Sequence, residues 1–318
     1  MVETDSKRPV FRAAAIVLRV LVSGVLIWWC LRQVGLETLR HGLGRVNYTA
    51  AAAAIIILLA QLVLNAWRWR LVCAALGHGQ PSPRNALRWC GLSLLLSQVL
   101  PSTIGGDAYR IGAFSRQAGL LAAARTVVHD RLIGMMALAA VAALTSSIAL
   151  SVSGFSIAFA SMLAFSGAIF LLLAGGAAFG RHVLQRIPYP VARRFGDELR
   201  AFRTVYQSPI IFFVSVAVQV LTLVAVVAIH MGSGRQDAET WQFIVVTPGA
   251  MLASAMPVSL GGWGVREGAM AFGFRAFDTA PDTPILVSVA YGLMLLVTGL
   301  LGSILWSVLR SGRSAHVG

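Results

Sequence analysis

Two short stretches decide the fold of this sequence: PSTIGGDAYR at residues 101–110 and PVSLGGWGVR at residues 257–266. In both, a glycine pair follows the proline by four and five positions, and an arginine follows it by nine. Each stretch interrupts a longer apolar segment, at about 89–114 and 241–274. A helix broken at membrane depth is tolerated where the loose backbone is buried in protein or lines a cavity. We therefore predict two re-entrant hairpins, each made of two half-helices.

The segments around the hairpins are apolar enough to cross a bilayer. Hydrophobic residues make up 57% of the 318 residues and charged residues 12%, and the mean hydropathy is +0.77. Because roughly 20 apolar residues span the hydrocarbon core, the sequence predicts an all-α integral membrane fold in a single membrane domain, residues 1–318. Its six full transmembrane helices are predicted at 13–31, 48–67, 132–151, 155–178, 208–230 and 284–309, with a tight turn at 151–154.

The order of these segments repeats. Span, span, broken hairpin and span occur in residues 13–152 and again in 155–309, and the two proline-glycine-arginine patterns are offset by 156 residues. Three full crossings, an odd number, turn the second copy upside down relative to the first. We therefore predict two inverted repeats whose hairpins meet near the midplane, where many secondary transporters bind substrate. The alternative is that proline and glycine only kink the helices or allow close packing.

The basic residues predict the orientation and the partner. With both termini in the cytoplasm, nineteen Lys and Arg fall in cytoplasmic segments and six outside, so we expect a multi-pass protein of the cell (inner) membrane. The net charge of +14 is distributed between apolar segments. This pattern favours an anionic membrane lipid over nucleic acid as the partner. Residues 190–206 are predicted to form a basic amphipathic helix on the cytoplasmic leaflet, or else a solvated connector.

The predicted hairpin tips suit an anion. Pro101 and Pro257 should end the first half-helix of each hairpin, and the glycine pairs allow the backbone to turn and to approach a ligand. The first amide groups of the next half-helix would then face the cavity, together with the positive end of its dipole. Arg110 or Arg266 follows within about a turn. A phosphate is therefore the expected ligand.

Two acidic residues beside the tips allow more than one role. Asp107 is placed to cap its half-helix. Glu267 could pair with an arginine of the opposite hairpin, or it could carry a coupling proton. The sequence has no Ser-His-Asp order, Asp-x-Asp motif, CxxC spacing or phosphate-binding glycine loop. We therefore predict no catalytic residue, no metal site and no cofactor.

Charged and aromatic residues at two predicted span ends are also ambiguous. Arg68, and the adjacent Asp130 and Arg131, could reach the cavity for the headgroup. Tryptophan and arginine at span ends are more often interfacial anchors. We therefore expect Trp67 and Trp69 to be anchors.

Four motifs resemble the family of lysylphosphatidylglycerol synthase transmembrane, or flippase-like, domains: NAWRWR at 65–70, LPSTIGGDAYR at 100–110, HDRLIG at 129–134 and MPVSLGGWGVREG at 256–268. In the best-known members this region precedes a soluble aminoacyltransferase domain and moves the aminoacylated lipid between leaflets. This sequence reaches Gly318 soon after its last predicted span without such a domain. We expect a stand-alone membrane domain to which translocation, but not lysylation, carries over.

The resemblance also implies a set of substrate-facing residues. They lie in and beside the two predicted hairpins: Pro101, Gly105, Gly106, Asp107, Arg110, Arg131, Pro257, Gly261, Gly262, Arg266 and Glu267.

Together these features predict a lipid flippase that moves an anionic phospholipid or lipid-linked headgroup between leaflets, with its acyl chains remaining in the bilayer. One alternative is a membrane-embedded lipid-linked transferase or synthase subunit, with Asp107, Asp130 or Glu267 as general base. Another is a lipid-binding scaffold that does not transport and docks through the basic segment 181–203. The sequence favours a transporter over an enzyme. It does not identify the lipid, the direction of transport, the energy source or the oligomeric state.

Overall fold

The computed structural model describes residues 28, 37, 44, 46–99, 103–154, 156–184, 198, 201–256, 259 and 261–311. The predicted crossing at 13–31 and most of the predicted amphipathic helix at 190–206 lie outside these residues. Within them the named helices are α1 Tyr48–Ala75, α2 Pro83–Val99, α3 Thr103–Ala118, α4 Leu120–Ser153, α5 Ile157–Leu184, α6 Pro209–Gly232, α7 Thr240–Ala255, α8 Val265–Phe274 and α9 Asp282–Ser311, with a 3₁₀ turn at Arg275–Phe277.

Five of the described helices, α1, α4, α5, α6 and α9, are long and apolar enough to cross a membrane. They coincide with five of the six predicted crossings. A turn separates the third and fourth crossings as predicted, but it begins at Gly154 and not at residue 151, because α4 continues to Ser153; Gly154 has a φ of 77° and α5 begins at Ile157. The described residues therefore form an all-helical protein of multi-pass membrane type.

Helices α1 and α4 extend furthest beyond their predicted limits. Helix α1 was predicted to end at residue 67 and continues to Ala75, and α4 was predicted to start at residue 132 and begins at Leu120. A charged side chain normally marks the end of an apolar span. Here Arg68 on α1 and Asp130 on α4 form an ion pair with each other, with 2.9 Å between Nε and Oδ1. The pair allows both helices to continue through positions where hydropathy places an end.

Helices α1 and α6 run antiparallel and make the largest helix–helix contact among those described. At one end the Asn47 amide N–H, just before α1, donates to the Gly232 carbonyl at the end of α6, at 2.8 Å. Further along, Gln61 Nε2 donates to Thr222 Oγ1 at 2.7 Å. The Asn47 side chain also caps α1 by accepting from the Thr49 N–H at 2.9 Å. These polar contacts fix the register of the two helices.

The four shorter helices form two hairpins, α2–α3 and α7–α8. Helix α2 packs on α9, and α7 packs on α4. The α2–α9 contact brings the backbones together: a Cβ added at Gly91 would lie 3.2 Å from the Gly302 carbonyl carbon, and one added at Gly299 would lie 2.9 Å from the Leu95 nitrogen. Small residues allow this close approach of membrane helices.

Buried aromatic side chains hold the two arms of the second hairpin together and hold the first hairpin against α1. Phe243 of α7 and Phe274 of α8 are fully buried, with ring centroids 4.6 Å apart. Trp69 of α1 and Phe114 of α3 are similarly buried, with centroids 5.5 Å apart and nearly perpendicular rings. These contacts position the charged residues that α3 and α8 carry.

Candidate functional site

Two arginines from different helices share one buried carboxylate. Arg68 Nε on α1 donates to Asp130 Oδ1 at 2.9 Å, and Arg110 Nη1 on α3 donates to Asp130 Oδ2 at 2.9 Å. All three residues are buried, and Asp130 is only 2% exposed. The carboxylate of α4 therefore joins α1 to α3 through charge-assisted hydrogen bonds, which are stronger than bonds between neutral groups.

A second carboxylate extends this network toward the surface. Asp107 Oδ1 accepts from Arg110 Nη2 at 3.3 Å, and Asp107 Oδ2 pairs with Arg131 Nε. The Arg131 side chain is 38% exposed, whereas that of Asp107 is 11% exposed. The five residues, called the arginine cluster below, contain three cations and two anions and therefore carry one net positive charge.

The arginine cluster lines a cleft of about 240 Å³ between α1, α2, α3, α4 and α9. The walls combine the charged groups with uncharged polar side chains and with leucines: Gln61, Asn65, Ser93 and Ser97, and Leu58, Leu62, Leu94 and Leu295. The cleft therefore presents charged and polar groups together with apolar side chains. This arrangement suits a molecule with a charged group attached to hydrocarbon.

The ring of Trp69 packs against the guanidinium group of Arg110. The Arg110 guanidinium carbon lies 5.0 Å from the centre of the Trp69 ring, within cation–π distance. The Trp69 Nε1–H donates to Thr126 Oγ1 at 3.3 Å, and the side chain is fully buried. The expectation that Trp69 is an interfacial anchor is therefore wrong, because its ring is buried against Arg110 and does not reach the membrane interface. Trp67 is 40% exposed, as an anchor would be.

The second hairpin carries a separate buried cluster. Arg266 Nη2 and Nε donate to Glu267 Oε1 at 2.7 and 3.1 Å, and Arg266 Nε also donates to Ser288 Oγ of α9 at 2.9 Å. Glu267 Oε2 accepts from the Gly264 N–H at 2.6 Å, which caps the start of α8. Arg266 and Glu267 are each 2% exposed. Glu267 thus pairs with its chain neighbour Arg266, and not with an arginine of the opposite hairpin, which was one of the two roles that the sequence left open.

Aromatic rings enclose Arg266. Its guanidinium carbon lies 5.1 Å from the Trp263 ring centre and 5.5 Å from that of Tyr291. Gly292 on α9 leaves the space for this arrangement, because a Cβ there would overlap the guanidinium. Among the described residues that line the cleft, neither Arg266 nor Glu267 is found. The two predicted arginines therefore occupy different sites, one open and one enclosed.

The tip of the first hairpin differs from the prediction. Helix α3 begins at Thr103, so Gly105 and Gly106 lie inside the helix and not in the turn. Gly106 instead allows α3 to approach α2, since a Cβ there would overlap the Ser93 carbonyl oxygen. Asp107 consequently lies within α3, where it pairs with arginines, and its predicted role as the helix cap is wrong.

The tip of the second hairpin contains the predicted turn. Gly261, Gly262 and Gly264 have φ values of 55°, 83° and 83°, which L-residues rarely adopt, and α8 begins directly after them. The position that corresponds to Gly264 in the first stretch is Ala108. This difference agrees with the earlier start of α3, because alanine favours a helix more than glycine does.

The second tip contacts the first hairpin. A Cβ added at Gly261 would lie 2.9 Å from the Ser97 carbonyl oxygen and 3.2 Å from Gln98 Cα, both near the end of α2. Ser97 also lines the cleft. The turn at residues 261–264 is therefore next to the end of α2. Pro101 and Pro257, which were predicted to end the first half-helices, lie outside the described residues.

The structure thus brings together Asp107, Arg110 and Arg131 of the predicted site residues at the cleft. The sequence interpretation named Arg68 and Asp130 as residues that could reach the cavity but did not include them among the site residues, although both have central places in the arginine cluster. Their signal was present, because a charge within an apolar helix marks a functional position. Within the described residues, no three His, Cys, Asp or Glu side chains come together as metal ligands.

Comparison with known proteins agrees with the motifs in the sequence. No curated protein matches the chain. The model of the family described as the lysylphosphatidylglycerol synthase TM region matches residues 16–302, which includes both hairpins and every described member of the arginine cluster. The chain therefore belongs to the lysylphosphatidylglycerol synthase transmembrane-region family.

Proposed function

We propose that this protein is a lipid flippase that moves an anionic phospholipid or lipid-linked headgroup between leaflets through the cleft of the arginine cluster. One observation carries the proposal: three arginines and two aspartates line a cleft with leucine walls. Guanidinium groups that line a partly apolar cleft favour an anionic ligand, because charge-assisted hydrogen bonds are stronger than bonds between neutral groups. A lipid phosphate supplies the negative charge, while its acyl chains remain in apolar surroundings.

Arginine geometry suits this ligand. A guanidinium presents several N–H donors in one plane and can bind two phosphate oxygens at once. In the structure, Asp130 occupies Nε of Arg68 and Nη1 of Arg110. A phosphate in the cleft would bind the guanidinium donors that these contacts leave over, so that Asp130 keeps both of its partners.

Two observations support an inverted-repeat architecture for this transporter. Helices α1 and α6 hold equivalent places in the proposed repeats at 13–152 and 155–309, and they run antiparallel. The contacts between the repeats are also reciprocal, because α2 packs on α9 while α7 packs on α4. Inverted repeats of this kind permit alternating access by movement of one half against the other.

The lengths of the hairpin helices support their re-entrant nature. Helices α2, α3, α7 and α8 contain 17, 16, 16 and 10 residues. At about 1.5 Å per residue each is shorter than the hydrocarbon core of roughly 30 Å. The contact of Gly261 with the end of α2 further supports two tips that meet. We place the protein in the cell membrane. The distribution of its arginines favours both termini in the cytoplasm.

Translocation accounts for the site better than group transfer does. The carboxylates considered as general bases, Asp107, Asp130 and Glu267, all form ion pairs with arginines. A general base must be available to accept a proton from the substrate. In this site the carboxylates instead balance the cations, which is the arrangement expected for binding.

The proposal is tested with purified protein in vesicles that contain a fluorescently labelled anionic phospholipid. The Arg110→Gln variant leaves the Arg68–Asp130 and Arg131–Asp107 pairs, so it removes the excess charge without leaving an unpaired carboxylate. We expect translocation to fall at least about tenfold, because one charge-assisted contact is worth roughly 1.5–3 kcal/mol. The matched control is Arg116→Gln, on the exposed face of the same helix.

Unchanged translocation by a correctly folded Arg110→Gln protein would refute the proposed mechanism. The labelled lipid is then extracted and analysed chemically. Conversion of the lipid without movement would favour a transferase. A cellular defect that depends on the basic segment 181–203, and not on the cluster, would favour a scaffold.

A further inference from the structure

A second cavity lies on the outside of the bundle, where the last part of α1 meets the start of α2. It is a groove of about 260 Å³ whose walls are mainly apolar and whose rim carries two arginines: Val63, Ala66, Trp67, Leu87, Arg70 and Arg84. The cleft uses Leu58, Gln61, Leu62, Asn65 and Arg68 of α1 and the groove uses other positions, so the two cavities lie on different faces of this helix.

Hydrogen bonds fix one of the two arginines at the rim. Arg70 Nε donates to the Pro81 carbonyl at 2.9 Å, and Arg70 Nη2 donates to Gln80 Oε1 at 2.9 Å. Both acceptors belong to the connection between α1 and α2. Arg84, in the first turn of α2, is exposed. The groove therefore has one arginine held by hydrogen bonds and one exposed arginine at the same end.

An apolar stripe leads away from these arginines. Ile56, Val63 and Trp67 are 66%, 52% and 40% exposed and follow each other on α1 at steps of seven and four. This spacing places them on one face of the helix, and Arg70 follows Trp67 on the same face after three residues. The surface thus changes from hydrocarbon-like to cationic along a single line, with the tryptophan at the boundary, where such rings are enriched in membrane proteins.

We propose that this groove binds one anionic glycerophospholipid. Its phosphate lies between Arg70 and Arg84, and one acyl chain follows Ala66, Val63 and Ile56 along α1. Charge complementarity selects this occupant: the described residues lining the groove include two cations and no carboxylate. The ammonium group of a zwitterionic lipid would have no acidic partner there.

The location agrees with a lipid of the membrane surface. In the topology proposed above, this end of α1 faces the cytoplasmic leaflet, whose anionic lipids attract basic residues close to a span. The proposal is independent of translocation, because it uses none of the residues of the arginine cluster. The bound lipid would hold the end of α1 against the start of α2, and it would thereby fix the position of the first hairpin.

The test is native mass spectrometry of the full chain in detergent, titrated with phosphatidylglycerol or phosphatidylcholine. Each variant is made in the natural chain and again in an Arg110→Gln background, where the cleft has lost its excess charge. We expect Arg84→Gln to weaken the first phosphatidylglycerol adduct about tenfold in both backgrounds, as loss of one charge-assisted contact predicts. Val63→Trp, which fills the groove, should weaken it similarly.

Two matched controls define the specificity. Arg116→Gln removes an exposed arginine of α3, and Val220→Trp enlarges an exposed valine of α6, both outside the groove. Neither should change the adduct. Equal losses in these controls, equal binding of phosphatidylcholine, or an effect of Arg84→Gln that disappears in the Arg110→Gln background would overturn the proposal. If the spectra show a dimer in place of the lipid adduct, and Val63→Trp dissociates that dimer, the groove binds a second copy of the chain. This result would also overturn the proposal.

Discussion

The guanidinium of Arg110 donates to Asp130 Oδ2 at 2.9 Å and joins the second arm of a hairpin to a membrane-spanning helix. The same carboxylate accepts from Arg68 through its other oxygen. One buried anion therefore connects α1, α3 and α4. The stability of the site should depend on this anion more than on any single arginine.

Replacing Asp130 by Asn should destabilise the protein by about 3–5 kcal/mol, because it leaves Arg68 and Arg110 buried with one countercharge fewer. Thermal unfolding in detergent measures the effect. Glu198→Gln is the control, since the Glu198–Arg125 pair is 38–42% exposed and should contribute at most about 1 kcal/mol. Adding Arg68→Met to Asp130→Asn should restore part of the loss. No recovery in the double variant would contradict the charge-balance argument.

Substituting Trp69 by Ala should cost about 3–5 kcal/mol, because the fully buried ring packs against Phe114 and supports Arg110. Translocation should fall with it. The neighbouring Trp67 is 40% exposed, so Trp67→Ala should change stability by no more than about 1 kcal/mol. The two melting temperatures provide the comparison. Similar values for both variants would mean that Trp69 is no more than an anchor.

How far the sequence leads can be judged from Arg68 and Asp130. The five described spans and the turn at Gly154 follow from hydropathy and turn propensity, which are local properties. The ion pair between these two residues joins positions 62 apart in sequence, and no local pattern reports such a distance. For this reason the span limits were wrong at the same residues that the site interpretation omitted.

The glycine pairs show a similar limit. Both stretches have the same spacing, and the turn is found at Gly261 and Gly262 but not at Gly105 and Gly106. The outcome depends on one further position, Gly264 against Ala108, and on the contact of Gly106 with Ser93 of α2. The spacing marked the positions of the two helical hairpins, whereas the residues at which α3 and α8 begin depended on neighbouring side chains and on packing.

Gly106→Ala should destabilise the first hairpin by about 1–3 kcal/mol, because the added methyl group overlaps the Ser93 carbonyl oxygen. Gly112→Ala is the matched control on the same helix. A Cβ at Gly112 meets nothing within 4 Å, so this change should be neutral or stabilise the helix by up to about 1 kcal/mol. Thermal unfolding and translocation are measured together. A harmless Gly106→Ala variant would show that α2 and α3 are not held at this distance.

Glu267→Gln should destabilise the protein by about 3 kcal/mol or more, since it leaves Arg266 buried without its countercharge. Ser288→Ala removes one hydrogen bond to Arg266 and one to Glu267, and should cost about 1–2 kcal/mol. Melting temperatures give the comparison. A stable Glu267→Gln protein that has lost the proton dependence of transport would instead identify Glu267 as the carrier of a coupling proton.

The contact of α2 with α9 has a mechanical consequence. Where Gly91 meets Gly302, backbone lies on backbone, with no side chains from these positions to interlock. Where rows of side chains interdigitate, packed helices can slide only if the side chains pass over one another. A contact between two glycines lacks this steric obstacle. Helix α2 can therefore slide along α9 with little steric obstruction at this contact, and a methyl group at either glycine would hinder that movement.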